Sequence, residues 1–482
     1  MDTLFDTEWD VLISGTGLKQ SLLALALSRS GKKVLHVDQN IYYGGDEAEL
    51  SLSEADTWVQ QYSGNGDTAF SHARITKNND STKELGSARS YCLALAPQLI
   101  FTRSNLLPAL VSSKTHGQLE FQAVGSWFVL HDGELVKVPN GREDIFQDTS
   151  LDLRAKRALM KFIRSISEPE ALENLSADAK ASSVPTYLEN NFGLPAAARV
   201  PIMALTLSSD PPANTTVETA LPHVIRHLQS IGLFGPGFGA LTPKWGGLAE
   251  VAQVACRAGA VGGGVYILGC GVKAVDTSSD LTTVTLSNDE KVKTTWLVGS
   301  PGDLNIAQTP DKIWSRAVHI VAAPLDNLFP RTAEGGVTPA GAVITVSGKT
   351  PQEPPVYIFV HSSDTGECPT GYCVLYASVA LGYETGFNVL QEALQHVLSS
   401  LGVDASEVLW SMEFQHSGYV PESNPLAERI LAVSSLGPEL ALEDNVLDSV
   451  RTMWQTITQE ESDTFMRFEA REGAEDEDIN EQ

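Results

Sequence analysis

Five cysteines among 482 residues are too few, and odd in number, for a disulfide framework. Cys368 and Cys373 lie close together in "CPTGYC", but no second pair completes a zinc site, so no metal is expected. No stretch approaches 18 uninterrupted apolar residues, which excludes a membrane-spanning helix. The opening "MDTLFDTEWDVLISG" has neither a basic start nor an apolar run before a cleavage site. No signal peptide is therefore expected, Asn214-Thr215-Thr216 is a chance sequon, and the expected location is the cytosol. Positive charge is scarce as well: 33 Lys and Arg face 60 Asp and Glu, a net −27. The segment from Glu460 to Gln482 contributes −8 and the body of the chain the rest. Such a field repels phosphate backbones and anionic lipid, which speaks against nucleic acid and favours a protein partner with a basic surface.

The motifs of common catalysis are missing too. There is no G-x-S-x-G, no H-E-x-x-H, no P-loop and no C-x-x-C. His223 and His227, spaced i, i+4, lack a third ligand and are read as an ordinary helix surface.

What is present begins with a dinucleotide-type unit. "DVLIS" (residues 10–14) is a short apolar run ending at glycine, as a buried parallel strand does. The helix "QSLLALALSRS" follows and stops at Gly31, and "KKVLHVD" is a second strand ending in Asp38. Gly15, Gly17 and Asp38 match the turn and ribose-binding positions of a βαβ cofactor site, but Gln20 stands where the third glycine belongs. That departure leaves two readings open at this point: a cofactor site with a tolerated substitution, or a fold with no bound cofactor in which Gly15, Gly17 and Asp38 are vestigial.

Further along, "LEFQAVGSWFVL" and "ELVKVP" are strands around a turn at His131-Asp132-Gly133. In "TSLDLRAKRALMKFIRSI", Leu151, Ala155, Leu159, Phe162 and Ile166 recur at helical spacing. The expected fold is α/β, with a large domain at 1–139 and 229–459, an inserted helical domain at 140–228, and an acidic disordered tail at 460–482.

Two helix faces stand out. In "GLAEVAQVACRAGA", Leu248, Val251, Ala252, Ala255 and Ala258 form the core side, and Glu250, Gln253, Val254 and Arg257 share the opposite face. Glu250 and Arg257 are two turns apart, expected to be too far for a direct pair, which leaves both free for a partner. Arg154, Arg157, Lys161 and Arg164 form a basic stripe, either a wet surface or a protein-docking face.

From "KKVLHVDQNIYYGG" through "RSYCLALAPQLIFTRSNLLPAL", "HLQSIG" and "EVAQVACRAGAVGGGVYIL", the chain resembles the family of Rab GDP-dissociation inhibitors and Rab escort proteins nearly end to end. "KVPNGREDIFQDTSLDLRAKRALMKFI", "APQLIFTRSNLLPALVSSK" and the acidic tail resemble the escort branch, as fungi carry it. The resemblance implies a flavoprotein-oxidase-like large domain with a helical insert, and no redox chemistry. It implies GDP-bound Rab GTPases as partners, a separate Rab geranylgeranyltransferase αβ heterodimer, a geranylgeranyl lipid held in the insert, and transient contact with membranes. It also implies a Rab-binding platform at Tyr43, Glu250 and Arg257, with Gln253 between the last two. Transferase docking would fall to Arg154, Arg157 and Lys161. The alternatives are a plain dissociation inhibitor and a working flavin oxidoreductase. The family's Y-G-x-G-E-L reads Gly246-Gly247-Leu248-Ala249-Glu250-Val251 here, with Trp245 the substitute aromatic, and Ala94 replaces a frequent aspartate.

Overall fold

The computed structural model describes residues 7–468 apart from 67, 79–81, 148–150, 169, 307–309, 311, 332–334, 420–426 and 438. Strand Glu8–Ser14 lies between Val34–Asp38 and Lys291–Gly299, both parallel to it, and Val265–Leu268 extends the sheet in parallel beyond Val34–Asp38. Two antiparallel strands and Ile430–Ala432 complete a seven-stranded sheet. The crossover helix Leu18–Arg29 is apolar on nearly every side, and it is buried from Leu18 to Ser28. Helices Leu248–Val261 and Asn445–Thr458 cover it, so it is sandwiched and has no wet face.

A second, ten-stranded sheet carries Phe121–His131 and the hairpin mate Glu134–Lys137. The connecting Asp132 and Gly133 have φ of 51° and 82°, the two left-handed residues of a tight hairpin turn. Between this hairpin and strand Ala240–Pro243 the chain is helical, from Arg142–Gln147 to Val217–Ser230. In that stretch Asp152 caps helix Leu153–Ile166 by accepting from the Ala155 N–H at 2.7 Å. Leu151, Ala155, Leu159, Phe162 and Ile166 are all buried.

Two surface expectations need correction. His227 is 2% exposed and meets the Trp127 ring edge-on at 4.7 Å, so it belongs to the core, and burial pushes its pKa down to about 4. The acidic tail also starts later than residue 460. Phe465 and Met466 are buried, the Phe468 N–H donates to the Ser112 carbonyl at 3.1 Å, and the expected disorder from 469 onward lies outside the described residues. Among the described residues no helix is long and apolar enough to cross a membrane.

Candidate functional site

Helix Leu248–Val261 sets the site because most of its circumference is occupied. Leu248, Val251, Ala252 and Ala255 are buried, and Ala258 is half-buried. Val254, expected on the free face, is 0% exposed, so the open arc narrows to Glu250, Gln253 and Arg257. The expectation that Glu250 and Arg257 are too far apart also fails. One Arg257 guanidinium nitrogen lies 3.1 Å from Glu250 Oε1 and 3.1 Å from Gln253 Oε1. Seven residues rise about 10 Å. Helical side chains, however, lean toward the N-terminus, and arginine is long enough to span the remainder.

Tyr43 reaches the same place from the loop after Val34–Asp38. Burial raises its phenol pKa, and the Arg257 charge opposes that rise, so the two share one electrostatic neighbourhood. Burial likewise raises Glu250 despite its partner Arg257. Glu250, Gln253 and Arg257 thus form one hydrogen-bonded polar strip, and Tyr43 adds a half-buried phenol beside it, since the next residue, Gly44, packs against Ala249 of the same helix.

The approach to this helix departs from ordinary backbone. Trp245, Gly246 and Gly247 have φ of 61°, 118° and 70°, three left-handed residues in succession. A side chain at Gly246 would collide with the Glu49 carboxylate. Burial pushes Glu49 up to about 7, and nearby Glu250 and Glu367 add to the effect. Trp245, the expected substitute aromatic, sets its indole against Gly366. It is 42% exposed, with the Lys244 ammonium 4.4 Å from its ring centroid. Ala94 is buried, and its N–H donates to the Tyr376 hydroxyl at 3.2 Å.

The glycine turn does not fit a dinucleotide. The Leu18 N–H at the helix start donates to Glu47 Oε2 at 3.1 Å, so a carboxylate holds the position a pyrophosphate needs. Gln20 is buried without parting helix from strand. Its side chain turns back to Gly17 and donates to Asp303 Oδ2 at 3.3 Å. Asp303 is packed against Gly15, whose φ of 87° and missing Cβ both serve that contact. Asp38 is spent internally: Oδ2 accepts from the Thr16 N–H and hydroxyl at 2.7 and 2.6 Å, and Oδ1 from the Asn40 N–H at 2.7 Å. Burial raises Glu47, and the Asp46 charge adds to it. The space left at the turn is about 60 Å³, room for a few water molecules. An adjoining cavity of about 420 Å³ carries Asp46 and Asp303 and no cationic side chain among its described lining. The Glu47 and Asp303 carboxyls fill the turn where a pyrophosphate would sit, and Lys19, the cation lining it, is already engaged by Ser434 and Ser435.

An apolar cavity lies between the helical segment and the hairpin strands, in the insert where the resemblance implies a lipid. Its volume is about 220 Å³, and its walls include Val138, Leu159, Phe162, Ile202, Leu205 and Val224. Helix Leu153–Ile166 supplies one wall and turns the basic stripe outward, with Arg154, Arg157, Lys161 and Arg164 exposed. Periodicity found the buried face of this helix, but only coordinates tell a packed core from a cavity wall.

Residues 5–463 match the family described as GDP dissociation inhibitor. The chain is 30% identical over 378 residues to Rab proteins geranylgeranyltransferase component A of Saccharomyces cerevisiae, a match covering 77% of this chain and 61% of that protein. The chain therefore spans about three fifths of that relative's length. Among solved structures it is similar to the Rab GDI of Plasmodium falciparum, at TM-score 0.71 and 20% identity, covering 93% of this chain and 98% of that one. It also resembles a putrescine oxidase, at TM-score 0.54 and 16% identity over 94% of this chain and 99% of that one. The flavoprotein-oxidase-like α/β fold is common to both.

Proposed function

Because the chain belongs to the GDP dissociation inhibitor family, we propose that it is an escort for Rab GTPases. In this reading it binds a newly made, GDP-bound Rab and presents it to the catalytic αβ heterodimer of Rab geranylgeranyltransferase. It then shields the attached isoprenoid in the cytosol until a membrane receives it. The protein performs no bond chemistry itself.

The observation that carries this reading is the presence, in one chain, of a prearranged polar strip and a separate apolar cavity. The strip of Glu250, Gln253 and Arg257, with Tyr43 beside it, suits a polar protein surface, and its charges are already paired and ordered before docking. The cavity suits a lipid. Leaving a geranylgeranyl chain of about twenty carbons in water costs on the order of 10 kcal/mol at roughly 0.8 per CH₂. At about 220 Å³ the cavity is smaller than the ~300–1,000 Å³ of typical ligand sites, so the helices around it move apart to admit the whole chain.

Reconstitution tests the proposal. Adding the purified protein to the catalytic heterodimer, unprenylated Rab and geranylgeranyl diphosphate should produce geranylgeranylated Rab. No transfer, combined with extraction of prenylated Rab from membranes, would identify a recycling inhibitor instead. Flavin released on denaturation would revive the oxidoreductase reading.

A further inference from the structure

Helix Leu153–Ile166 separates two environments. Its inner face presents Leu159, Phe162 and Ile163 to the apolar cavity. Its outer face presents Arg154, Arg157, Lys161 and Arg164, and none of these four has an ion-pair partner among the described residues. In a chain of net charge −27, four adjacent cations without an ion pair among the described residues are out of character; Lys161 has another side-chain contact, its ammonium lying 5.8 Å from the Phe192 ring centroid. Exposed apolar groups lie among them. Leu153 is 71% exposed and falls on the same helical stripe as Arg157 and Arg164. Phe146 is 63% exposed, and its carbonyl accepts from Lys156 Nζ at 2.8 Å, which ties helix Arg142–Gln147 to the first turns of the longer helix. Ile145 and Leu151, close neighbours of these two in sequence, turn inward and line the cavity. Val136 lines it too and is 50% exposed, which places it at the mouth.

We propose that this face is where the protein lies against an anionic lipid bilayer. Phe146 and Leu153 enter the interface, the four cations meet the headgroups, and the mouth at Val136 faces the acyl layer. The proposal rests on the reading of the cavity as an isoprenoid carrier, because a lipid leaving the cavity must enter a bilayer that touches its mouth. Basic side chains around exposed apolar ones are the composition of an interfacial helix. A headgroup layer also pairs with splayed cations without a fixed set of opposing carboxylates. The overall negative charge does not forbid contact, since screening over about 8 Å at physiological salt leaves only local charge in play. Two nearby acids are engaged with backbone and do not reach toward the cations: Asp152 caps its helix, and Asp144 accepts from the Asn140 N–H at 2.9 Å.

Co-sedimentation of the full chain with phosphatidylcholine vesicles, with and without phosphatidylserine, tests the proposal. Binding should require phosphatidylserine and weaken with salt. Each cation removed should cost about fivefold, and the triple reversal R154E/R157E/K161E about a hundredfold or more. F146S/L153S should also weaken binding, with the cations intact. All these side chains are exposed, so melting temperature and Rab affinity should hold. Three results would overturn the inference. One is wild-type protein that ignores anionic vesicles, and another is a triple variant that binds them as wild type does. The third is a triple variant that loses affinity for the transferase heterodimer alone, which would make the face a protein dock. The carrier reading fails separately, if the wild-type chain shows no preference for geranylgeranylated over unprenylated Rab.

Discussion

Arg257 folds back along its own helix to place one nitrogen 3.1 Å from Glu250 Oε1, two turns away. The Arg257 side chain is 55% exposed and that of Glu250 17%, so water screens the pair from the arginine side and it adds little to stability. Its value lies in order. A flexible cation that carries no fixed geometry must be immobilised when a partner binds, whereas this one is already held by Glu250 and Gln253.

Replacing Arg257 by Ala should therefore lower affinity for GDP-bound Rab by about tenfold or more, since desolvated arginines are frequent binding hot spots. The melting temperature should barely move. Calorimetric titration with wild-type and variant protein checks both, and an unchanged dissociation constant would remove the strip from the interface. Glu250→Gln should lose less in an R257A background than alone, because the two act as one unit.

The left-handed approach to the helix yields a second expectation. Gly246→Ala combines an unfavourable φ of 118° with a collision against the Glu49 carboxylate. It should destabilise the fold by about 1–3 kcal/mol. Adding Glu49→Ala should relieve the collision and leave the backbone strain, so rescue measured by denaturant unfolding should be partial. Full rescue would mean that φ at this position is unimportant.

How far the sequence foretold this arrangement depended on how local each feature is. The unit from Asp10 to Asp38 is contiguous, so alternating apolar runs and glycines carried its strand–helix–strand order. The helix wheel found Glu250, Gln253 and Arg257 because periodicity reports one face of one helix. It missed Val254, whose burial depends on neighbours the wheel does not contain, and it missed the ion pair because it treats side chains as points on a circle. Asp303 was out of reach altogether. It meets Gly15 and Gln20 from 283 or more residues away, and its position depends on the parallel pairing of Glu8–Ser14 with Lys291–Gly299. Tertiary contact likewise decides that His227 is core and that Phe465 and Met466 are not part of a free tail.

The cavity can be tested by filling it. Val200 is half-buried in the cavity wall, so Val200→Trp should occupy part of the 220 Å³ at a modest packing cost. Affinity for geranylgeranylated Rab should fall by about tenfold or more, because several CH₂ groups at roughly 0.8 kcal/mol each lose their place. Affinity for unprenylated Rab should stay as it was. Equal losses for both Rabs would mean that the substitution damages the fold, and no loss for either would place the lipid elsewhere.

The converted glycine turn predicts an unusual dependence of stability on pH. Burial pushes the Asp303 carboxyl from 3.8 up to about 7, with Asp38 and Asp46 adding to it and the Ser300 hydroxyl opposing it. Between about pH 4 and 7 the folded protein holds a proton that the unfolded chain has released. The stabilisation from this group is complete below pH 4 and is lost as pH rises through 7. That is the reverse of a salt-bridged aspartate. Asp303→Asn cannot ionise, so the difference in unfolding free energy between variant and wild type should shift in the variant's favour by up to a few kcal/mol across this window. Urea unfolding of both proteins from acid to mildly alkaline pH measures that difference. Parallel curves would show that Asp303 titrates in the fold as it does in the unfolded chain, and is therefore ionised at neutral pH.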